Sequence, residues 1–160
     1  MSSKHKLDTN ISVSLCREEI EKLSSHYLTE GRKQESWQIK EVRIEGNRLS
    51  AVVAMRSTYV SASDAHGFHL TLFSALEFLS QLMITYAHVW AGLSEKTREG
   101  WMLESHTRTV RAIRNAEHID VEMDVRSMRK VGDNLLCEAD YRVTDKQNGL
   151  FEVQLKGFLS

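Results

Sequence analysis

Glu77 and Gln81 stand four residues apart in an otherwise apolar run, and two histidines, His66 and His69, precede that run. On a helix, residues four apart share a face, so Gln81 can reach the Glu77 carboxylate directly. A carboxylate beside an amide, with imidazoles upstream, is equipment for acid–base or nucleophilic chemistry. The carboxylate takes a proton from water or attacks directly, and the amide orients the carboxylate or the water. Such a carboxylate must find a partner, reach solvent or shift its pKa. Each residue also has a plain structural reading. Glu77 and Gln81 suit the wet side of an amphipathic helix, Gln81 suits a buried amide satisfying backbone groups, and Tyr59 suits a packing tyrosine at a strand end. His88 suits a helix C-terminus, where the dipole favours a cation. His66 and His69 have the spacing of a two-histidine metal site but lack a third ligand, so no metal and no cofactor is expected.

The element that must position these groups is a long helix from Leu70 towards Ala91. Ser74, Glu77, Gln81, Thr85 and His88 recur every three or four residues and predict a thin polar stripe, while Leu72, Phe73, Leu76, Phe78, Leu79, Leu82, Met83 and Ile84 make the rest apolar. A helix this apolar is expected to be buried on most sides. Upstream, residues 1–11 read as a mobile tail, and Cys16, Ile20, Leu23 and Tyr27 follow helical spacing. Ser14 is the expected N-cap and Gly31 the stop. Trp37 and Ile39 then alternate with polar residues, and Val42 and Ile44 alternate in the opposite parity, which predicts a bulge near Lys40 or Glu41. Glu45-Gly46-Asn47 is turn chemistry, and Leu49, Ala51, Val53 and Met55 form a clean strand. After the helix come four strand patterns, at residues 101–111, 119–126, 135–143 and 151–159, separated by turns at 131–134 and 145–149. A sheet with one apolar face needs a cover, and only the long helix can supply it. The expected class is α+β: a curved antiparallel sheet wrapped around a central helix, forming one domain over residues 12–160.

The chain has 160 residues, no proline, two cysteines without metal-ligand spacing and a net charge of −1. The charge argues against general nucleic-acid binding. No apolar run follows the N-terminal basic residues, and the polar stripe argues against membrane insertion. A cytoplasmic protein with free thiols is expected.

Element order and the helix motif together resemble the hotdog superfamily of acyl-thioester enzymes. Glu77-Phe78-Leu79-Ser80-Gln81 resembles the Glu-x-x-x-Gln pattern of the β-hydroxyacyl-ACP dehydratases, which pair it with a loop histidine. His69 to Leu82, with Arg98-Glu99-Gly100-Trp101 beyond, is similar to the FcoT-type fatty acyl-CoA thioesterases, whose asparagine after the loop phenylalanine falls in register with Thr71. The resemblance implies an acyl-CoA or acyl-ACP thioesterase with Glu77 as base or nucleophile and Gln81 positioning water or carboxylate. The alternative it implies is a dehydratase using Glu77 with His66 or His69. A third reading is a non-catalytic hotdog protein that binds acyl chains. In either enzyme the loop of His66, Gly67, Phe68, His69 and Thr71 would hold the thioester at the helix N-terminus, whose N–H groups would polarise the carbonyl. Gly67 would allow close approach, and Tyr59 could add its hydroxyl. Arg111 and Arg114 are candidates for the anionic CoA or phosphopantetheine arm, although a solvated strand face accounts for most of the basic residues. Open sheet edges, and the habit of the superfamily, imply a homodimer or a dimer of dimers with composite sites.

Overall fold

The computed structural model describes residues 12–25 and 35–160. By its internal contacts the chain divides into two units, residues 1–33 and 34–160. The first carries α1, Arg17–Leu23, none of whose residues is buried. Its N-cap is Cys16, not Ser14, because the residue three positions on must accept the cap's N–H. Glu19 does so for Cys16 at 2.9 Å, whereas Ser14 has Arg17 at that offset. Residues 1–11, Tyr27 and Gly31, assigned above to a tail and a helix end, lie outside the described residues.

The second unit is one antiparallel sheet around one helix. Strands β1 (Ser36–Glu45) and β2 (Arg48–Ser57) form a hairpin. Its register shifts between Ile39, opposite Val53, and Glu41, opposite Val52. Lys40 is the extra residue, which explains the parity change. The helix α2 spans Leu72–Trp90. Strands β3 (Gly100–Arg111), β4 (Ile119–Val131), β5 (Asn134–Asp145) and β6 (Leu150–Leu159) follow. The sheet runs β1-β2-β4-β5-β6-β3, every pair antiparallel, with β1 and β3 at its edges. This is the hotdog fold. Strand β4 continues past the expected end at Arg126, because its pairing with β5 shifts between Val125 and Ser127. Beyond this second bulge the alternation changes face, so the pattern that began at Ile119 stops in the sequence although the strand does not.

The core is the apolar side of α2 against the alternating positions of the sheet. Phe78, Leu79 and Leu82 are fully buried, as are Leu49, Val53, Ile119, Val121 and Val143. Truncating any of these large side chains to alanine would cost about 2–5 kcal/mol. Two phenols fix the helix to its surroundings. Tyr141 donates to the Leu79 carbonyl at 3.0 Å and Tyr86 to the Gly46 carbonyl at 2.8 Å. Burial, with the Cys137 thiol beside it, raises the Tyr141 phenol well above its ordinary range.

The polar stripe does not stay on one face. Ser74 and His88 turn inward and are buried, while Phe73, Glu77, Gln81, Thr85 and Val89 line the exposed side. His88 lies in the last turn of the helix, as its position predicts, but is buried there. Its Nδ1 faces the Ile84 carbonyl at 2.8 Å and its Nε2 receives the Thr97 N–H at 3.3 Å. Through these two contacts the ring clamps the following turn to the helix.

Candidate functional site

The N-terminal half of α2 is where the chemistry-bearing residues gather. Thr71 caps the helix, its Oγ1 accepting the Ser74 N–H at 3.2 Å. The same hydroxyl donates to Glu35 Oε2 at 3.2 Å, and the buried Ser74 hydroxyl donates to that oxygen at 2.7 Å. Two residues on, Trp37 Nε1 donates to Glu77 Oε2 at 2.9 Å. Its ring meets Phe78 edge-on, with centroids 6.1 Å apart. Residues two apart on an extended strand point the same way about 6.6–6.8 Å apart, close to one helical turn of about 5.4 Å. Glu35 and Trp37 therefore reach the helix at successive turns. Glu77 is exposed but held, with one carboxylate oxygen fixed by the indole. Gln81 lies one turn further along the same exposed side.

The histidine loop, residues 58–71, is organised by Asp64, a residue the sequence reading passed over. Asp64 Oδ1 accepts the His66 N–H at 3.0 Å, and Asp64 Oδ2 lies 2.7 Å from His69 Nδ1. Arg114 Nη1 approaches both carboxylate oxygens, at 3.4 and 3.3 Å, and donates to the Phe68 carbonyl at 3.4 Å. The bond from the His66 N–H, then the His69 ring, hold the Asp64 carboxyl down to about 2, with Arg114 adding to the effect. Arg114 is itself fixed, because its N–H bonds Asp145 Oδ2 at 2.8 Å. Burial would raise Asp145, but the N–H groups of Gly149, Arg114, Gln147 and Asn115 outweigh it and lower the carboxyl. A Cβ at Gly149 would fall 2.7 Å from Ile113 Cα, so only glycine lets this turn press against the segment after β3. Leu70 N–H to Ile113 carbonyl, at 2.8 Å, closes the loop onto that segment.

The two histidines are not equivalent. It is the backbone of His66, not its ring, that bonds Asp64, whereas the His69 ring is aimed by the carboxylate. Gly67 takes φ +80° at the bend between them, and Phe68 packs against the core. Tyr59 is half-buried at the start of the loop. Arg114 serves the loop, and Arg111 Nε donates to the Asn148 carbonyl at 2.8 Å. Each arginine thus has a structural partner beside any role towards a ligand. The Cys137 thiol, pushed up to about 12 by burial and by Glu138, is no nucleophile. Among the described residues no three His, Cys, Asp or Glu side chains converge to hold a metal ion. No helix among them is long and apolar enough to cross a membrane.

A cavity of about 200 Å³ opens one turn beyond Glu77, between α2 and the β3–β6 pair. Ser80, Met83 and Ile84 form its helical wall, and Trp101, Gly157 and Phe158 are among its strand walls. The Trp101 and Phe158 rings stack across that pair, with centroids 6.5 Å apart.

Solved structures share this architecture. A thioesterase from Pseudomonas aeruginosa (PA1618, as a mutant) aligns with TM-score 0.51 at 12% identity, over 77% of this chain and 80% of that one. A hypothetical thioesterase protein from Streptococcus pneumoniae aligns with TM-score 0.52 at 12% identity, over 78% and 91%. The dehydratase heterocomplex ApeI:P from Xenorhabdus doucetiae aligns with TM-score 0.53 at 14% identity, over 76% and 82%. At these identities the likeness is one of fold. No family model and no curated protein sequence matches the chain.

Proposed function

We propose that this protein hydrolyses an acyl thioester, with Glu77 as the base or nucleophile. The observation that carries the reading is the Trp37 indole holding the Glu77 carboxylate at 2.9 Å, one turn from an apolar cavity. The indole holds the carboxylate in place, and the cavity offers room for the acyl chain. The thioester carbonyl would lie towards the histidine loop and the start of α2, with the anionic carrier, CoA or ACP, extending outward. Dehydration of a β-hydroxyacyl thioester is the second reading, and the aimed ring of His69 favours it. It needs one imidazole and one carboxylate to divide acid and base roles.

The proposal includes a second copy. Edge strand β3 exposes Trp101, Met102 and Leu103 in succession, at 56%, 44% and 50%. An unpaired edge this apolar is completed by pairing with another β3, which would bring the loop of one chain towards the helix of the other. Leu103→Lys is expected to convert a dimer to a monomer in analytical ultracentrifugation. A wild-type monomer at micromolar concentration would remove the dimer from the proposal.

Glu77→Gln tests the reaction. Glutamine can still accept from Trp37, so the fold should hold, while turnover falls by about 10²–10⁴-fold. Thiol release from acyl-CoA reads hydrolysis, and enoyl-CoA hydration reads the dehydratase chemistry in reverse. Unchanged turnover in a folded Glu77→Gln protein rules out the assigned role.

A further inference from the structure

We infer that Asp64 and His69 form a proton-transfer dyad in which Asp64 is the positioning residue and His69 Nε2 is the basic atom presented to substrate. The inference deepens the thioester reading and rests on it for the substrate. The orientation of the ring follows from geometry alone. An ionised carboxylate can only accept, so at 2.7 Å from Asp64 Oδ2 the His69 Nδ1 must carry the hydrogen. In the neutral ring the lone pair then resides on Nε2, at the opposite edge. The His69 side chain is 45% exposed and Asp64 only 16%, so the anchor is sheltered and the ring is open.

A surface ion pair between flexible side chains would not fix a tautomer. This pair is held more firmly. Asp64 receives the His66 N–H and the Arg114 guanidinium, Arg114 is tied by its own N–H to Asp145, and Leu70 is tied to Ile113. The loop therefore offers a positioned imidazole, as a strand or helix would. His66, whose ring lacks this anchor, is left outside the dyad.

Hydrolysis then balances as follows. Glu77 attacks the acyl carbon, the C–S bond breaks and its electron pair leaves on sulfur as thiolate. Water adds to the resulting acyl–Glu77 anhydride. His69 Nε2 takes the proton that water sheds and delivers it to the thiolate, while the Nδ1 hydrogen stays on its bond to Asp64. The products are a carboxylic acid and a thiol, with Glu77 and His69 restored. Thr71 and Glu77 lie six residues apart, about 9 Å along the helix axis, so the loop and the carboxylate of one chain do not converge on one atom. The dimer proposed above would set the loop of one chain against Glu77 of the other, with the carbonyl and its water between them.

The test is Asp64→Asn in the full chain. Asparagine keeps an oxygen for the His66 N–H but can turn an amide N–H towards His69 Nδ1, which reverses the tautomer. Nitrogen-15 NMR of the neutral His69 ring should show the Nδ1–H tautomer in the wild type and the Nε2–H tautomer in the variant. Thiol release should fall by about 10²-fold or more in kcat with KM held, the melting temperature should fall modestly with the loss of the carboxylate's charge beside Arg114, and Asp64→Glu should recover part of the rate. An Nε2–H tautomer in the wild type, or no reversal in Asp64→Asn, overturns the dyad whatever the activity. Reversal with undiminished kcat also overturns it and leaves the thioesterase reading standing. If the wild type releases no thiol, that reading fails separately. The dyad is then judged by diethyl pyrocarbonate labelling of His69, which reversal of the tautomer should slow; an unaltered rate overturns it.

Discussion

Gly157→Ala tests whether the cavity beside α2 measures the acyl chain. A Cβ at Gly157 would lie 3.2 Å from Met83 Sδ and 3.0 Å from the Trp101 carbonyl oxygen. The thioether is the middle of a flexible side chain and can turn aside, whereas the carbonyl belongs to the β3 backbone and cannot. The methyl group and the displaced Met83 therefore both take up cavity space. A methylene group is close in size to a water, whose share of liquid volume is about 30 Å³, so the cavity of about 200 Å³ holds about six or seven such groups. Losing room for one of them costs about 0.8 kcal/mol of burial, which is about fourfold in kcat/KM. The assay is kcat/KM for saturated acyl-CoA substrates from acetyl to dodecanoyl. The optimum should move to a shorter chain by about one methylene, with substrates below the optimum unaffected. An unchanged profile in a folded variant refutes the assignment of the cavity. An equal loss at every length refutes it too, since that would report strain at Trp101 and not a shortened pocket.

Other consequences follow from the same geometry. Trp37→Phe keeps the edge contact with Phe78 but deletes the N–H on Glu77, and for an exposed carboxylate this should cost about 1 kcal/mol, or about fivefold in kcat, with melting temperature nearly unchanged. Equal kcat would show that the indole does not orient the acid. Acid should loosen the histidine loop. Asp64 is depressed from 3.8 to about 2 and Asp145 is depressed as well, so what they contribute is complete above their unfolded values and is lost as pH falls through the folded ones. The protection factors at His66, Gly67 and Leu70, that is amide exchange corrected for its intrinsic rate at each pH, should fall between about pH 4 and pH 2. Protection factors that instead fall as pH rises through this range would contradict the sign.

The sheet was legible in the sequence because its signal is local. Alternation located Leu49, Ala51, Val53 and Met55, all of which are buried, and even the phase slip at Lys40 could be read. The slip at Arg126 was not, because the polar Ser127-Met128-Arg129-Lys130 tail of β4 offers no second apolar run to realign. The site was legible only on α2 and in the histidines. Trp37 was legible as a strand residue from its alternation, but its bond to Glu77 joins residues 40 apart and depends on how β1 meets the helix. Asp64 and Glu35 are single acids in polar segments, and nothing in spacing separates them from solvated neighbours. The two-residue offset of Asp64 from His66, just ahead of Gly67, was the available signal, since short polar side chains organise turns through the backbone N–H two residues on.

The helix divides its labour along its length. The phenols and the ring that hold it, Tyr86, Tyr141 and His88, contact its middle and C-terminal end, and their partners are the β1–β2 turn, the helix backbone and the turn after it. The groups that bear charge, Glu35, Asp64, Arg114 and Glu77, collect around its first two turns and are held by loops and by the start of β1. Anchoring one end rigidly leaves the other free to present functional side chains without placing the core at risk. A carboxylate in the middle of so apolar a helix would otherwise be a liability with no gain, because burial penalises its charge and exposure would serve as well with lysine. Its place on the exposed side, within reach of an indole N–H and one turn from the apolar cavity, fits the role proposed for it towards a ligand.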